Sequence, residues 1–129
     1  PKGYMSIQIV KAIKSSYLKL LWDPANSYRA YKENVPIEYL QYSLEEELHH
    51  IYPWIDHIHI KDYKYNAALD NPFEHIAVGM GDIDFRIIFS NLRKYGYENA
   101  VSLEAETGYN ETLESMKRMQ SWVGLPESI

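Results

Sequence analysis

The sequence predicts an α/β fold in which three parallel strands alternate with four helices. Two observations support this prediction. Short apolar runs recur along the 129 residues, and each is followed by a longer segment with apolar side chains at helical spacing. The order is one helix and then three strand–helix units, which is typical of parallel strands joined by right-handed crossovers. At 46% hydrophobic residues, the chain is long and apolar enough for one domain with a buried core, residues 1–129.

The first part of the chain contains a helix and a strand. We expect the helix to begin near Ser6, a residue type that caps helices, because Ile9, Val10, Ile13 and Tyr17 recur at helical spacing after it. Strand one covers residues 18–22. The turn-forming residues 23–27 then end the strand.

A second helix is predicted between two prolines. Pro36 suits the first turn of a helix, and Pro53 ends it. The glutamates at 45–47 indicate an exposed face of this helix. Its opposite face carries Leu40, Leu44, Leu48 and Ile51.

The second strand, Ile55–Ile60, is the most regular segment of the chain. Ile58 alternates with His57 and His59, so one face is apolar and the other carries imidazoles. A loop is expected over residues 62–82, and a loop of that length in a small domain is more often functional than not.

The last part of the chain contains two more helices and one strand. Asp84 is placed to cap a helix that ends at Gly96, a residue that suits a left-handed helix terminus. Strand three covers residues 100–105. The final helix begins at Asn110 and closes at Gly124.

Residues of metal-ligand type stand at the end of each predicted strand. Asp23 and Glu104 end short apolar runs, and His59 lies on the polar face of strand two. Since the carboxyl ends of parallel strands lie at one edge of a sheet, these side chains are expected to meet there. Two carboxylates and an imidazole suit Mn²⁺, Mg²⁺, Co²⁺ or Zn²⁺. Glu106 lies two residues after Glu104, so its side chain is expected on the same face of the strand, and it is the alternative candidate for the ligand role of Glu104.

Other polar residues near the predicted site leave two interpretations open. Lys61 and Asp62 follow strand two, and they either contact whatever binds the metal or form a salt-bridged structural pair. His75 lies in the long loop, from which it could reach a ligand. The glycines at 79 and 81 do not form a nucleotide-binding motif and are expected to supply flexible backbone near the site.

Composition limits the function classes. The formal net charge of −5 argues against a broad nucleic-acid surface. The absence of cysteine excludes disulfides and thiolate metal sites, and it makes the reducing cytoplasm the expected location. No apolar run approaches the roughly 20 residues that span a bilayer, so no membrane partner is expected.

Several motifs, taken in order, resemble the xylose isomerase-like TIM-barrel superfamily, which contains sugar-phosphate isomerases and epimerases. The resemblance covers nearly the whole chain. It is carried by Trp22-Asp23-Pro24-Ala25-Asn26, His57-Ile58-His59-Ile60-Lys61-Asp62, Gly79-Met80-Gly81-Asp82-Ile83-Asp84-Phe85, Tyr95-Gly96-Tyr97 and Ser102-Leu103-Glu104. It implies a small sugar or sugar phosphate as substrate.

The resemblance also implies roles for individual residues. In that family a glutamate, an aspartate, a histidine and a glutamate on strands five to eight hold one divalent metal ion. Asp23, His59 and Glu104 match the last three by motif, and Glu104 would also act as the catalytic acid or base in proton transfer through an enediolate. The substrate-binding positions implied by the resemblance are Asn26, Lys61 and His57.

Three alternatives to an isomerase or epimerase remain open. An inosose-type dehydratase would use the same metal to eliminate water. A DNA-repair endonuclease on this barrel would need a multi-zinc cluster with more histidines and acids than the sequence offers. A non-catalytic fragment would bind metal through three ligands and lack the acid/base partner.

The resemblance predicts an incomplete barrel. A whole barrel takes roughly 250 residues, and the first family glutamate would end a strand just before residues 1–4. Three parallel strands leave two open edges, which invite pairing with another chain. We therefore expect either a fragment of a longer enzyme or a homo-oligomer. Sedimentation measures this directly, and a well-folded, freely soluble monomer of 129 residues would contradict the expectation.

Overall fold

A computed structural model describes residues 2–30 and 35–124 of the chain. The described helices are α1 (Gly3–Ile13), α2 (Pro24–Ala30), α3 (Ile37–Leu40), α4 (Leu44–Ile51), α5 (Phe85–Lys94) and α6 (Tyr109–Val123). The described strands are β1 (Leu20–Trp22), β2 (Ile55–Ile60), β3 (Asp62–Tyr65), β4 (Phe73–Ile76) and β5 (Ala100–Leu103).

Three strands form a parallel sheet in the order β1-β2-β5, which confirms the predicted α/β class. Strand β2 lies in the centre and pairs on both sides. Trp22 of β1 is level with Ile58, and His59 is level with Ser102 of β5. A backbone hydrogen bond of 2.9 Å from the Glu104 N–H to the Ile60 carbonyl extends the second pairing beyond β5. All three strands therefore end at the same edge.

The two faces of the sheet differ as the alternation in β2 predicts. Ile58 and Ile60 are fully buried, whereas His57 and His59 are half-buried. Helices α1, α4, α5 and α6 contact one another in that order and cover the apolar face. Burial of these isoleucines contributes about 2 kcal/mol each, so the sheet orientation is strongly specified. The polar face remains available for a site.

The first helix begins at Gly3 rather than near Ser6. Its buried residues are Gly3, Ile7 and Val10. Of the apolar residues expected at helical spacing, Val10 is buried, whereas Ile9 and Ile13 are 60% and 56% exposed and Tyr17 lies exposed beyond the end of the helix. A Cβ at Gly3 would lie only 2.7 Å from Ile51 Cδ1, so this glycine lets α1 approach α4 closely. The apolar stripe thus starts one turn earlier than the sequence suggested.

The prediction of four helices was too low, because two predicted segments have a different structure. The expected turn at 23–27 is the start of α2. The expected helix from Pro36 to Pro53 divides into α3 and α4, since Ser43 begins a new helix with a capping box. In that box the Ser43 hydroxyl accepts from the Glu46 N–H at 3.1 Å, and the Glu46 carboxylate accepts from the Ser43 N–H at 2.7 Å.

The long segment expected to be a loop contains an antiparallel hairpin. Strands β3 and β4 pair from Asp62 opposite Ile76 to Tyr65 opposite Phe73. Tyr63 is 1% exposed and contacts the rings of Phe73 and His75. The aromatic side chains give this short hairpin its own packing, and it is therefore an ordered element beside the strand ends.

Asp62 anchors the turn that follows the hairpin. Its carboxylate accepts N–H groups from Gly79 and Gly81 on one oxygen, both at 3.0 Å, and from Tyr63 on the other at 2.9 Å. A Cβ at Gly81 would collide with the Asp62 carboxylate and the Tyr63 carbonyl. Burial raises the pKa of Asp62, although these N–H groups act in the opposite direction. Gly81 therefore allows close approach to Asp62, and Gly79 adopts a positive φ of +90° that favours glycine. Asp62 does not pair with Lys61, whose ion pairs are with Asp23, Glu104 and Glu106.

The ends of the last two helices agree with the predicted signals. The Asp84 carboxylate accepts the Ile87 N–H at 3.3 Å at the start of α5. Gly96 and Gly124 have φ angles of +70° and +77°, the left-handed conformation expected after a helix. Among residues 2–30 and 35–124, no helix is both long and apolar enough to cross a membrane.

Replacing Asp62 by Asn is expected to lower the free energy of unfolding by about 1–3 kcal/mol. The amide nitrogen cannot accept a hydrogen bond, so at least one of the backbone N–H groups at residues 63, 79 and 81 loses its partner. Urea unfolding followed by circular dichroism measures the change. Asp70→Asn, an exposed position in the same hairpin, is the matched control. Equal midpoints for both variants and the parent would contradict the anchoring role.

Candidate metal centre

The structure brings Asp23, His59 and Glu104 together at the carboxyl edge of the parallel sheet. Each offers one ligand atom, and these atoms all lie within 4.8 Å of one another. The sheet register explains the cluster, because Asp23 directly follows β1, His59 is the fifth residue of β2, and Glu104 directly follows β5. All three residues are half-buried. The donor set of two carboxylates and one imidazole fits a divalent cation.

Asn26 orients the Asp23 carboxylate. Its backbone N–H donates to Asp23 Oδ1 at 2.8 Å, and its side-chain amide donates to Asp23 Oδ2 at 2.7 Å. The Asp23 side chain is only 9% exposed. The predicted contact of Asn26 with substrate stays a prediction. In the structure the Asn26 amide donates a hydrogen bond to the Asp23 carboxylate.

The Lys61 ammonium lies between the two carboxylates of the cluster. Its Nζ is 2.7 Å from Glu104 Oε2 and 3.2 Å from Asp23 Oδ2. The same Glu104 oxygen lies 3.7 Å from His59 Nδ1. The Lys61 side chain is 9% exposed. A positive charge therefore stands inside the candidate centre and offsets the repulsion between Asp23 and Glu104.

The charges at the centre shift the pKa values of its members. Burial alone would lower the pKa of Lys61, but the hydrogen bond to Glu104 and the attraction of Asp23 outweigh it and raise this pKa to about 12. The hydrogen bond from Lys61 holds the pKa of Glu104 below its ordinary value, against a smaller opposing effect of burial. Lys61 is thus charged and Glu104 ionised at neutral pH.

His57 lies one level below His59 on the polar face of β2. Its Nε2 is 2.7 Å from Ser102 Oγ, a contact that joins β2 to β5. The His57 and His59 rings meet edge to face, with centroids 5.0 Å apart. The structure therefore places His57 beside the candidate ligand His59. Its predicted contact with substrate stays a prediction.

A second acidic residue, Glu106, lies beside the cluster but outside it. Glu106 Oε1 is 3.7 Å from Lys61 Nζ, and Glu106 Oε2 is 2.8 Å from His75 Nε2. Glu104 and Glu106 were both candidates for the third ligand. Glu104 lies with Asp23 and His59, whereas Glu106 forms an ion pair with His75 of the hairpin. Strand β4 thus brings His75 to the rim of the site, as one interpretation of the sequence allowed.

The prediction of an exposed glutamate run was wrong for Glu47. This residue is 1% exposed, and its Oε1 accepts from Trp22 Nε1 at 2.7 Å and from Ser27 Oγ at 2.6 Å. Its Oε2 has no hydrogen-bond partner among the described residues. Burial lowers the pKa of Lys2, and the charge of Glu47 acts in the opposite direction.

Glu47 contacts residues on both sides of a candidate ligand. Trp22 and Ser27 flank Asp23 in the chain, so the Glu47 carboxylate ties α4 to the end of β1 and to α2. A signal for its burial was present in the sequence. Glu47 stands three residues after Leu44 and four before Ile51, within the apolar stripe of α4.

Comparison with known proteins identifies related sequences and folds. The family model described as xylose isomerase-like TIM barrel matches residues 4–122 of the chain. An uncharacterized protein of Methanocaldococcus jannaschii is 31% identical over 98 residues, which are 76% of this chain and 29% of that protein.

A solved structure has a similar fold. The crystal structure of a xylose isomerase domain protein from Planctomyces limnophilus matches with a TM-score of 0.70 at 18% sequence identity. The match covers 95% of this chain and 43% of that chain. This chain therefore spans less than half the length of either protein.

Replacing Glu47 by Leu is expected to lower the free energy of unfolding by about 3 kcal/mol, because the buried donors of Trp22 and Ser27 lose their acceptor. Urea unfolding followed by tryptophan fluorescence measures the loss. Glu45→Leu is the matched control, since Glu45 lies on the same helix and forms no side-chain hydrogen bond or ion pair within residues 2–30 and 35–124. A loss no larger for Glu47 than for Glu45 would show that the buried carboxylate does not brace this end of the sheet.

Proposed function

Because this chain belongs to the xylose isomerase-like TIM barrel family, we propose that it is part of a divalent-metal-dependent isomerase or epimerase of a small sugar or sugar phosphate. The family includes sugar isomerases and epimerases. The observation that carries the proposal is the meeting of Asp23, His59 and Glu104 at the carboxyl edge of a parallel sheet. This edge is where barrels of this kind place their chemistry.

The residues of the centre fit the metal that the proposal requires. Asp23 and Glu104 would supply oxygen ligands, and His59 would supply a nitrogen ligand. Such a mixed set suits Mn²⁺, Mg²⁺, Co²⁺ or Zn²⁺. When bound, the cation would polarise the carbonyl and hydroxyl oxygens of the sugar.

Glu104 is the residue best placed to move the proton. Its lowered pKa keeps the carboxylate ionised, and its side chain is 39% exposed, so it is open to a substrate. In the proposed reaction the carboxylate takes a proton from the carbon beside the carbonyl. The electron pair of the C–H bond enters the carbonyl to give an enediolate. Return of the proton to the neighbouring carbon, with the hydroxyl proton passing to the former carbonyl oxygen, would complete an isomerisation. An epimerisation would instead need a second acid that delivers a proton to the opposite face of the original carbon, while Glu104 keeps the proton it removed.

A dehydratase acting on a cyclic polyol ketone is the second candidate. Elimination of water needs a group that protonates the departing hydroxyl in addition to the base that removes the proton. The observation that favours this candidate is the His75–Glu106 pair, whose atoms are 2.8 Å apart and whose Glu106 carboxylate lies beside Lys61. A proton held between these two side chains would supply the acid for the departing hydroxyl, a group that proton transfer by Glu104 alone does not require.

The test uses the full protein that contains this chain, stripped of metal with a chelator and then reloaded with Mn²⁺. Aldoses, ketoses and inososes are incubated in D₂O, and NMR follows deuterium entering the carbon beside the carbonyl. Metal-dependent exchange without loss of water is expected. A product lacking the elements of water would favour the dehydratase.

Glu104→Gln is expected to reduce the exchange rate by about 100-fold or more, as for other general bases. Glu111→Gln, an exposed carboxylate on α6, is the matched control. Calorimetry with Mn²⁺ separates binding from turnover. Metal binding without any exchange would support the non-catalytic alternative, and the absence of both would refute the proposed function.

A further inference from the structure

We propose that Lys61 is an internal cation that holds Asp23 and Glu104 together when no metal is bound and moves to Glu106 when a divalent cation binds. This inference rests on the metal centre of the proposed function. It assigns Lys61 and Glu106 a positioning role in metal binding, in addition to any contact with substrate.

Lys61 occupies acceptor oxygens of two of the three candidate ligands. The Glu104 oxygen that Lys61 contacts at 2.7 Å is also the oxygen nearest His59, at 3.7 Å. Asp23 Oδ2 accepts both from the Asn26 amide at 2.7 Å and from Lys61 at 3.2 Å. Since a carboxylate oxygen offers about two lone-pair directions, that oxygen has no position left for a metal while Lys61 stays.

The positive charge of Lys61 opposes the binding of a second cation at the same carboxylates. The Lys61 side chain is only 9% exposed, so its positive charge is poorly screened by water. A divalent cation bound by the same carboxylates would stand close to this ammonium, and the two positive charges would repel each other. The state without metal and the state with metal therefore favour different positions of Lys61. A group that stabilises only the metal-free state must lower the affinity for metal.

The Glu106 carboxylate is a second acceptor within reach of Lys61. Glu106 Oε1 lies 3.7 Å from Lys61 Nζ, so a shift of about 1 Å would form a direct hydrogen bond. His75 holds the other Glu106 oxygen at 2.8 Å and keeps the carboxylate in place. Lys61 thus passes from one anionic partner to another without losing its proton. In the new position its ammonium lies at the rim, where it could donate to an oxygen of the substrate.

The experiment measures Mn²⁺ affinity by titration calorimetry on the metal-free full protein. Lys61→Met is expected to bind Mn²⁺ about tenfold more tightly than the parent, within the range common for coupled sites. Glu106→Gln is expected to bind several-fold more weakly, because Lys61 loses its second partner. Lys64→Met and Glu111→Gln are exposed controls with the same charge changes, and each is expected to stay within about twofold of the parent.

Thermal melting in the presence of a chelator provides the second measurement. Without Lys61 the carboxylates of Asp23 and Glu104 repel each other, so Lys61→Met is expected to melt at a lower temperature than the parent and to gain more from added Mn²⁺. If Lys61→Met does not fold, the weaker binding of Glu106→Gln, in which Lys61 is kept, tests the proposal by itself.

The outcomes separate this inference from the proposed function. Equal or weaker Mn²⁺ binding by folded Lys61→Met, with normal binding by the parent, overturns the role of Lys61 alone. The same holds if Glu106→Gln binds as tightly as the parent. Failure of the parent and of every variant to bind Mn²⁺ overturns the metal centre and the inference together. Binding by Lys61→Met but not by the parent is the strongest result in its favour.

Discussion

The central strand β2 is the constraint on which the rest of the structure depends. It pairs with β1 on one side and β5 on the other, and its two faces have opposite chemistry. Because side chains alternate along a strand, a shift of one residue would bury the imidazoles and expose Ile58 and Ile60. The free-energy cost of burying the imidazoles and exposing the isoleucines fixes the pairing register of β2 with its neighbours. The register in turn places the ends of all three strands at one level, which is what the candidate centre requires.

The charges at this edge balance one another only in part. Three carboxylates, those of Asp23, Glu104 and Glu106, surround the single ammonium of Lys61. Such a cluster attracts a further cation, and Lys61 joins its members through direct ion pairs with Asp23 and Glu104. Two supports outside the cluster add to this order. Asn26 orients Asp23 from within α2, and Glu47 ties the flanking residues to α4.

Much of the fold could be read from local patterns, and the differences have a common cause. The parallel strands, the Asp84 cap and the two glycine termini follow from alternation and from residue types with strong backbone preferences. The start of α1, the helix α2 and the hairpin β3–β4 did not follow from such patterns. Helix α2 and the hairpin are short, and elements of that length are stabilised by packing on distant residues more than by their own propensities. The start of α1 is set by a tertiary contact, the close approach of Gly3 to α4.

In the candidate site too, local patterns predicted some residues, and tertiary packing decided the contacts of others. The residue types at the strand ends already indicated Asp23, His59 and Glu104, because strand parity and parallel order are local properties of the chain. The sequence alone left the partners of Lys61 and Asp62 open and placed Glu47 in solvent. Tertiary structure decided these three, since all of their named partners except Tyr63, the neighbour of Asp62, lie between 17 and 45 residues away in the chain. Which charges and hydrogen-bond donors meet across such distances depends on packing, which no local pattern encodes.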